Sequence, residues 1–113
     1  VKDGILTEQL SQTGWDTALF KAAFARGLGA LHASLTLTKT EPALATDIAR
    51  LLEGSATSLL QHSRGPTGEY GLQWQPGAKD QEWNFNTQLA ALTELTATLS
   101  LASLPQSTPQ PAN

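Results

Sequence analysis

Two stretches of the chain, residues 16–34 and 85–101, follow helical patterns whose apolar positions surround almost the whole circumference. A helix that is apolar on all sides is stable only where other elements cover all of those sides. Three helices packed together bury one stripe each, so they cannot cover two helices of this kind. The sequence therefore predicts an all-α layered structure larger than three helices, of which this chain forms a part.

The second of these helices, residues 85–101, carries a stripe of leucines with alanines filling much of its other faces. Side chains three or four residues apart lie on one face of a helix. We therefore expect this helix to be largely buried, with Asn84 or Asn86 as its N-cap. The leucines of the stripe are Leu89, Leu92, Leu95 and Leu99.

A helix of a different kind lies between them. Thr40 followed by Pro42 indicates its start, since Thr caps helices and Pro suits the first turn. It is predicted to run to about His62, with apolar residues on one face and charged residues on the other, as in an outer-layer helix. The apolar face consists of Leu44, Ile48, Leu51, Leu52, Ala56, Leu59 and Leu60.

Residues 64–84 form a long connection that holds four glycines and two prolines together with Tyr70, Trp74 and Trp83. Loops longer than about 12 residues are uncommon and usually functional or disordered, and aromatic residues argue against disorder. Short helix connections make neighbouring helices antiparallel. This loop should therefore lie at the same end of the helices as the loop of residues 1–15, and face a ligand there.

Composition excludes several classes of function. The chain of 113 residues has a formal net charge of -3 and no cysteine, so it has no basic surface for nucleic acid and no thiolate metal site. His32 and His62 are too far apart in sequence to suggest a metal motif, and no apolar run reaches membrane-spanning length. Residues 1–4 do not form a signal peptide.

We expect residues 3–102 to form the folded part, and residues 103–113 a flexible Pro/Gln/Ser tail. The start at Val1 suggests a processed or excised N-terminus.

Four short motifs, in this order and spacing, resemble the C-terminal part of fungal glycoside hydrolase family 76, the α-1,6-mannanase-like proteins. The resemblance covers residues 3–99. The motifs are Gly4-Ile5-Leu6-Thr7-Glu8; Asp16 with Phe20, Lys21, Phe24, Arg26 and Leu28; Tyr70-Gly71 with Trp74 and Pro76; and Thr87-Gln88 with Ala91 and Leu92.

The resemblance implies an (α/α)6 barrel of alternating inner and outer helices that hydrolyses or transfers α-1,6-linked mannan of the fungal cell wall. It implies a secreted or wall-associated protein, a mannose-containing ligand and no cofactor. Twelve helices of about 11 residues with their loops need well over about 200 residues. This chain would therefore hold about the last quarter of the barrel, and its partner would be the missing N-terminal part.

The sequence departs from the family pattern at important points. The family's catalytic pair is two adjacent aspartates in the first half of the domain, and the sequence has no adjacent Asp-Asp or Asp-Glu pair. Fungal members often have cysteines in the loop that corresponds to residues 8–15, where this chain has none, and Ala22 replaces a usual glycine. We therefore expect no catalytic residue in this segment.

Five residues are predicted to bind substrate. The aromatic faces of Trp74 and Tyr70 suit stacking on sugar rings, or else they pack the loop onto the barrel rim. Glu8 and Asp16 can accept hydrogen bonds from sugar hydroxyls, although Asp16 also suits an N-cap. Lys21 lies near a helix N-terminus, where a cation opposes the helix dipole. It is therefore expected either to pair with Glu8 or Asp16, or to contact the ligand.

Two functions remain open at this point. The first is a segment of a mannan-acting glycosidase that supplies cleft-wall loops. The second is a non-catalytic helical module that binds carbohydrate or another protein; a degenerate family member kept as a structural wall protein is a third reading. The first predicts that Phe20, Phe24 and Leu92 are left exposed by this chain alone, whereas a self-contained three-helix bundle would bury them.

Overall fold

In the computed structural model, three helices are present, as predicted, and the structure describes residues 1–7, 17–77 and 83–102. Helix α1 spans Thr17–Thr38, helix α2 spans Pro42–Ser58 and helix α3 spans Phe85–Ala102. A π-helical turn, Leu59–Ser63, continues α2. Only two isolated β-bridges occur within these residues, and no helix among them is long and apolar enough to cross a membrane. The predicted tail, residues 103–113, lies outside the described residues.

Helix α1 runs four residues beyond its predicted end at Ser34. The β-branched and polar residues there do not break it, because the Thr38 hydroxyl donates a hydrogen bond to the carbonyl of Ser34 at 2.8 Å. The helix ends when Lys39 takes the left-handed conformation with φ of 55°. A local hydrogen bond to the preceding turn thus extends a segment whose residue types disfavour a helix.

The predicted cap of α2 is wrong. Its N-cap is Glu41, which has φ of 48° and makes no side-chain capping bond, with Pro42 in the first turn as expected. The hydroxyl of Thr40 instead lies 2.8 Å from the hydroxyl of Thr38. Lys39 and Glu41 on either side of Thr40 take left-handed backbone, and Thr40 is one position too early in sequence to cap the free N–H groups of α2.

The predicted cap of α3 is present. Asn84 Oδ1 accepts a hydrogen bond from the backbone N–H of Thr87, and Thr87 Oγ1 accepts one from the backbone N–H of Asn84, both at 3.0 Å. This reciprocal pair satisfies two backbone donors at the start of the helix. It fixes the point at which the long loop ends and α3 begins.

Small residues allow α1 and α3 to approach each other closely. A Cβ atom on Gly29 of α1 would lie 3.4 Å from the Cβ of Ala97 in α3, so the two helices meet there in ordinary van der Waals contact. Both helices also pack on α2. The apolar core includes Ala18, Ala22 and Ala25 of α1; Ile48, Leu52, Ala56 and Leu59 of α2 and its π-helical turn; and Ala90, Ala91 and Ala97 of α3.

Many large apolar side chains of α1 and α3 point away from this core, whereas Leu28 and Leu95 pack against it. Phe20 and Phe24 are 67% and 52% exposed, and Leu92 is 63% exposed. The exposure expected for an incomplete layered structure is therefore present. The expected burial of the α3 leucine stripe is wrong within this chain, because the alanines of α3 face α1 and α2 while Leu89, Leu92 and Leu99 are exposed.

These exposed residues form two separate faces. Residues 20, 24 and 31 share one side of α1, and residues 85, 92 and 99 share one side of α3, by helical spacing. On each helix this side is opposite the buried stripe. We call the two sides the α1 flank (Phe20, Phe24, Leu31) and the α3 flank (Phe85, Leu92, Leu99).

Candidate functional site

The predicted aromatic loop begins as a compact hairpin. The N–H of Gly71 donates to the carbonyl of Ser63 at 2.9 Å, and the Ser63 hydroxyl donates to the carbonyl of Gly71 at 3.1 Å. Inside these bonds, Arg64 and Tyr70 form a β-bridge. The structure describes the loop as far as residue 77, and we call residues 64–77 the anchored loop.

Gly65 is required where the hairpin meets the end of the long loop. A Cβ atom at this position would lie 2.6 Å from Glu69 Oε1 and 2.8 Å from the ring of Trp83. Real Cβ atoms do not come so close to other atoms, so a larger residue would push Trp83 or the Glu69 side chain away. The two ends of the loop therefore touch at a position that only glycine fits.

Each of the three helices contributes one polar side chain that binds the backbone of the anchored loop. Lys21 of α1 donates from Nζ to the carbonyl of Leu72 at 2.6 Å. Ser58 of α2 donates to the carbonyl of Trp74 at 2.5 Å. The side-chain amide of Gln88 in α3 accepts from the N–H of Tyr70 at 2.8 Å and donates to its carbonyl at 2.7 Å.

The anchors fix the loop at the N-terminal end of α1 and α3. Lys21 and Gln88 lie in the first turns of these helices, and Ser58 is the last residue of α2. The loop therefore crosses the end of the inner helices where unpaired backbone N–H groups occur. This is the placement that the helix order predicted for residues 64–84.

The N-terminal segment reaches the same end. The N–H of Leu6 donates to Ser55 Oγ at 2.9 Å in the second half of α2, and the carbonyl of Gly4 lies against Gly54. A shallow groove of about 440 Å³ is lined by residues of this segment, by the polar face of α2 and by Pro76 of the anchored loop. The two loops thus lie together at one end of the helices.

Trp74 lies in the core and not on the surface. Its side chain is 0% exposed, and Lys21 Nζ lies 3.6 Å from the centroid of its ring. A cation at this distance is attracted to the negative face of the ring. Sugar stacking by Trp74 stays a prediction, and in this structure the ring is covered by protein.

Tyr70 is partly exposed, at the base of the hairpin, where it forms the β-bridge with Arg64. The Gln88 amide fixes its backbone on both sides, so the direction of its side chain is set by α3. The structure thus separates the two predicted aromatic residues. Of the five predicted site residues, Lys21 and Trp74 lie in contact and Tyr70 lies on the same loop, while Glu8 and Asp16 lie outside the described residues.

Glu94 is a charged residue of this region that sequence reasoning missed. It is 0% exposed, in the middle of α3, and its Oε1 has no hydrogen-bond partner. Burial raises the pKa of Glu94 from its ordinary value of 4.5 to about 8, although the Thr98 hydrogen bond and the charge of Lys21 lower it. A signal was available, because Glu94 lies three residues from Ala91 and Ala97 on the small-residue side of the helix.

The neutral form of Glu94 fits its surroundings. Thr98 Oγ1 lies 3.2 Å from Glu94 Oε2 and 3.1 Å from the carbonyl of Leu52. A hydroxyl has a single proton to donate. When Glu94 is protonated, it donates to Thr98, which donates in turn to Leu52, so every proton in this chain of bonds has an acceptor.

The three helices, with residues 1–7 and the anchored loop at one end, form an all-α segment of the (α/α)6-barrel fold. The solved structures that share this arrangement include the α-1,6-mannanase GH76A of Salegentibacter sp. HEL1_6 and an inactive variant of that enzyme in complex with α-1,6-mannotriose. Each is 20% identical over 89% of this chain, with a TM-score of 0.64.

The chain spans 28% of the length of these bacterial enzymes, close to the quarter expected from counting helices. No protein-family model matches the sequence, and neither does any curated protein. At this identity the likeness shows the fold. The fungal part of the resemblance stays a prediction.

Proposed function

We propose that the chain is a segment of an α-1,6-mannanase-like glycoside hydrolase or transglycosidase, and that it supplies a wall of the sugar cleft. This proposal is supported by the fold of the three helices together with the exposure of their apolar flanks. The three helices match part of a mannanase barrel, and their unpaired flanks are on the inner helices, where the rest of such a barrel would cover them. A secreted or cell-wall-associated location is part of this proposal.

In this proposal the anchored loop is the cleft wall. Tyr70 is its sugar-contacting residue, because its ring is partly exposed while its backbone is held in place. Trp74 supports the wall from below, beneath Lys21. Glu8 and Asp16, which lie outside the described residues, stay candidates for hydrogen bonds to sugar hydroxyls.

Catalysis is assigned to residues outside this sequence. Hydrolysis of a glycosidic bond needs two carboxyl groups about 5 to 9.5 Å apart. The sequence has no adjacent pair of acidic residues, and the buried acid Glu94 has no access to a ligand. We expect the 113-residue chain by itself to bind mannan oligosaccharide weakly and to hydrolyse none.

The experiment is a titration of the isotope-labelled chain with α-1,6-mannotriose, followed by NMR. We expect shifts of the amide signals of the anchored loop, and loss of these shifts in Tyr70→Ala. Phe24→Ala, which removes an exposed aromatic ring from the α1 flank, should leave them unchanged. An equal response to maltotriose, or no response at millimolar sugar, contradicts the proposal.

The rival is a non-catalytic helical module, and the exposed flanks favour its protein-binding form. The two functions differ in what the complete protein does. In a glycosidase, Tyr70→Ala within the complete protein lowers kcat/KM for mannan. In a module, the protein has no activity to lower, and variants of Phe20 or Leu92 abolish capture of its protein partner while Tyr70→Ala has no effect.

A further inference from the structure

Lys21 lies where a cation is unfavourable unless other contacts compensate for it. It is the fifth residue of α1, close to the positive end of the helix dipole, and it is 6% exposed. A buried ammonium group loses its hydration and needs hydrogen-bond acceptors in return. The question is therefore what the position of Lys21 does for the fold.

The ammonium group joins two residues of the anchored loop at once. It donates to the carbonyl of Leu72 and lies over the ring of Trp74. These residues are two positions apart, so one charge fixes the backbone of the first and the side chain of the second. Hydrogen bonds from a charged donor are stronger than those between neutral groups.

The opposite side of Trp74 is held by α2. Its carbonyl accepts the hydrogen bond from Ser58, so Trp74 is fixed through its ring by α1 and through its backbone by α2. The hairpin that precedes it is held separately, by Ser63 and by Gln88. Loss of Lys21 should therefore release residues 72–75 more than residues 63–71.

Glu94, an acidic residue that interacts with Lys21 through its charge, does not hold the anchored loop. Glu94 of α3 acts on Lys21 through its charge, but its own polar contacts run to Thr98 and through it to Leu52 of α2. In its neutral form it offers Lys21 little attraction. The carbonyl of Leu72 and the ring of Trp74 are contacts that the ammonium group makes with the loop itself.

We propose that Lys21 is the positioning residue of the anchored loop, and that its ammonium group holds residues 72–75 against the start of α1. Lys21 thus determines the shape of the loop and does not contact sugar. The importance of this for sugar binding rests on the proposed function, whereas the positioning itself does not.

The test is amide hydrogen exchange of the 113-residue chain measured by NMR. In Lys21→Met, which keeps the length of the side chain but not its charge, we expect exchange at residues 72–75 to rise by about tenfold or more while Gly71 and the amides of α3 keep their protection. Lys21→Arg keeps a cationic donor and should restore most of the protection. Lys39→Met, at an exposed position just beyond α1, is the matched control and should change nothing.

Unchanged exchange at residues 72–75 in Lys21→Met overturns the proposal, as does a rise of the same size throughout α2 and α3. If Lys21→Met does not fold, the wild-type spectrum decides. The Hε protons of Lys21 should then be shifted upfield by the Trp74 ring relative to those of Lys2 and Lys39, and signals at the position of the other lysines overturn the proposal.

Failure of the proposed function gives a different result. If mannotriose does not bind the wild type but Lys21→Met releases residues 72–75, the positioning role stands and the sugar function fails. If mannotriose binds the wild type and Lys21→Met changes neither the amide exchange of the loop nor the affinity for mannotriose, the sugar function stands and the positioning role fails.

Discussion

Glu94 shows how one side chain can make the stability of this fold depend on pH. It is fully buried, and burial raises its pKa to about 8. A group whose pKa is raised by folding stabilises the folded state most below its unfolded pKa, and loses that contribution as the pH rises through its folded pKa. For Glu94 this window extends from about pH 4.5 to about pH 8.

Glu94→Gln should remove this dependence. Glutamine keeps the shape and a hydrogen-bond donor for Thr98 but carries no charge at any pH. We expect the free energy of unfolding of the wild type to fall relative to Glu94→Gln by up to about 1.4 kcal/mol per pH unit within the window. Urea unfolding at pH 5, 7 and 9 measures the difference.

Glu53→Gln is the matched control, since Glu53 is exposed on α2. It should leave the pH profile of unfolding as it is in the wild type. If the profiles of Glu94→Gln and wild type run parallel from pH 5 to pH 9, Glu94 is ionised in the folded protein at neutral pH.

For single residues, the sequence predicts which side chain lies in an unfavourable position but not which contacts compensate for it. The place of Lys21 near a helix N-terminus predicted that it needs compensation. Two of its contacts, Leu72 and Trp74, are more than 50 residues away in sequence, so no local pattern indicates them. For the same reason the sequence left two roles open for Trp74, sugar stacking or packing of the loop, because an aromatic residue in a Gly/Pro-rich loop carries no sign of the cation over its ring.

At the scale of helices, the structure follows local sequence patterns more closely than it does at the scale of single residues. The start of α3 has the residue types of a reciprocal cap, Asn84 and Thr87, and the structure shows both bonds. The N-terminus of α2 and the C-terminus of α1 do not follow the prediction, because left-handed backbone at Lys39 and Glu41 sets the connection between them. Residues other than glycine rarely take that conformation, so the sequence favours a different boundary.

Asn84→Ala should destabilise the chain by about 1 kcal/mol, because the N–H of Thr87 loses its acceptor at a helix start. Thermal or urea unfolding measures this cost. Asn84→Asp keeps the acceptor and places a negative charge at the N-terminus of α3, so it should retain or slightly raise the stability. Equal losses in both variants would show that the side chain of Asn84 acts by some means other than capping.

Across the whole molecule, small and large apolar residues lie on different sides of each inner helix. Alanines face the neighbours that this chain supplies, whereas phenylalanines and leucines form the α1 and α3 flanks. Contiguous exposed apolar surface of this kind marks an interaction site in a folded protein. The all-round apolar pattern of the two helices predicted that neighbours were missing, although it could not predict on which sides they would lie.

Leu92→Ala and Leu52→Ala test this division. Leu52 is 0% exposed, so its truncation leaves a cavity and should cost about 2–5 kcal/mol in the 113-residue chain. Leu92 belongs to the α3 flank, and its truncation there should change the stability by no more than about 0.5 kcal/mol. In a protein that contains the complete barrel, the remaining helices would cover Leu92, and the cost of Leu92→Ala should rise toward that of Leu52→Ala. Urea unfolding of both variants in both contexts measures the four values. A cost for Leu92→Ala that stays small in the complete barrel would mean that the α3 flank faces solvent or another partner, and not the rest of the barrel.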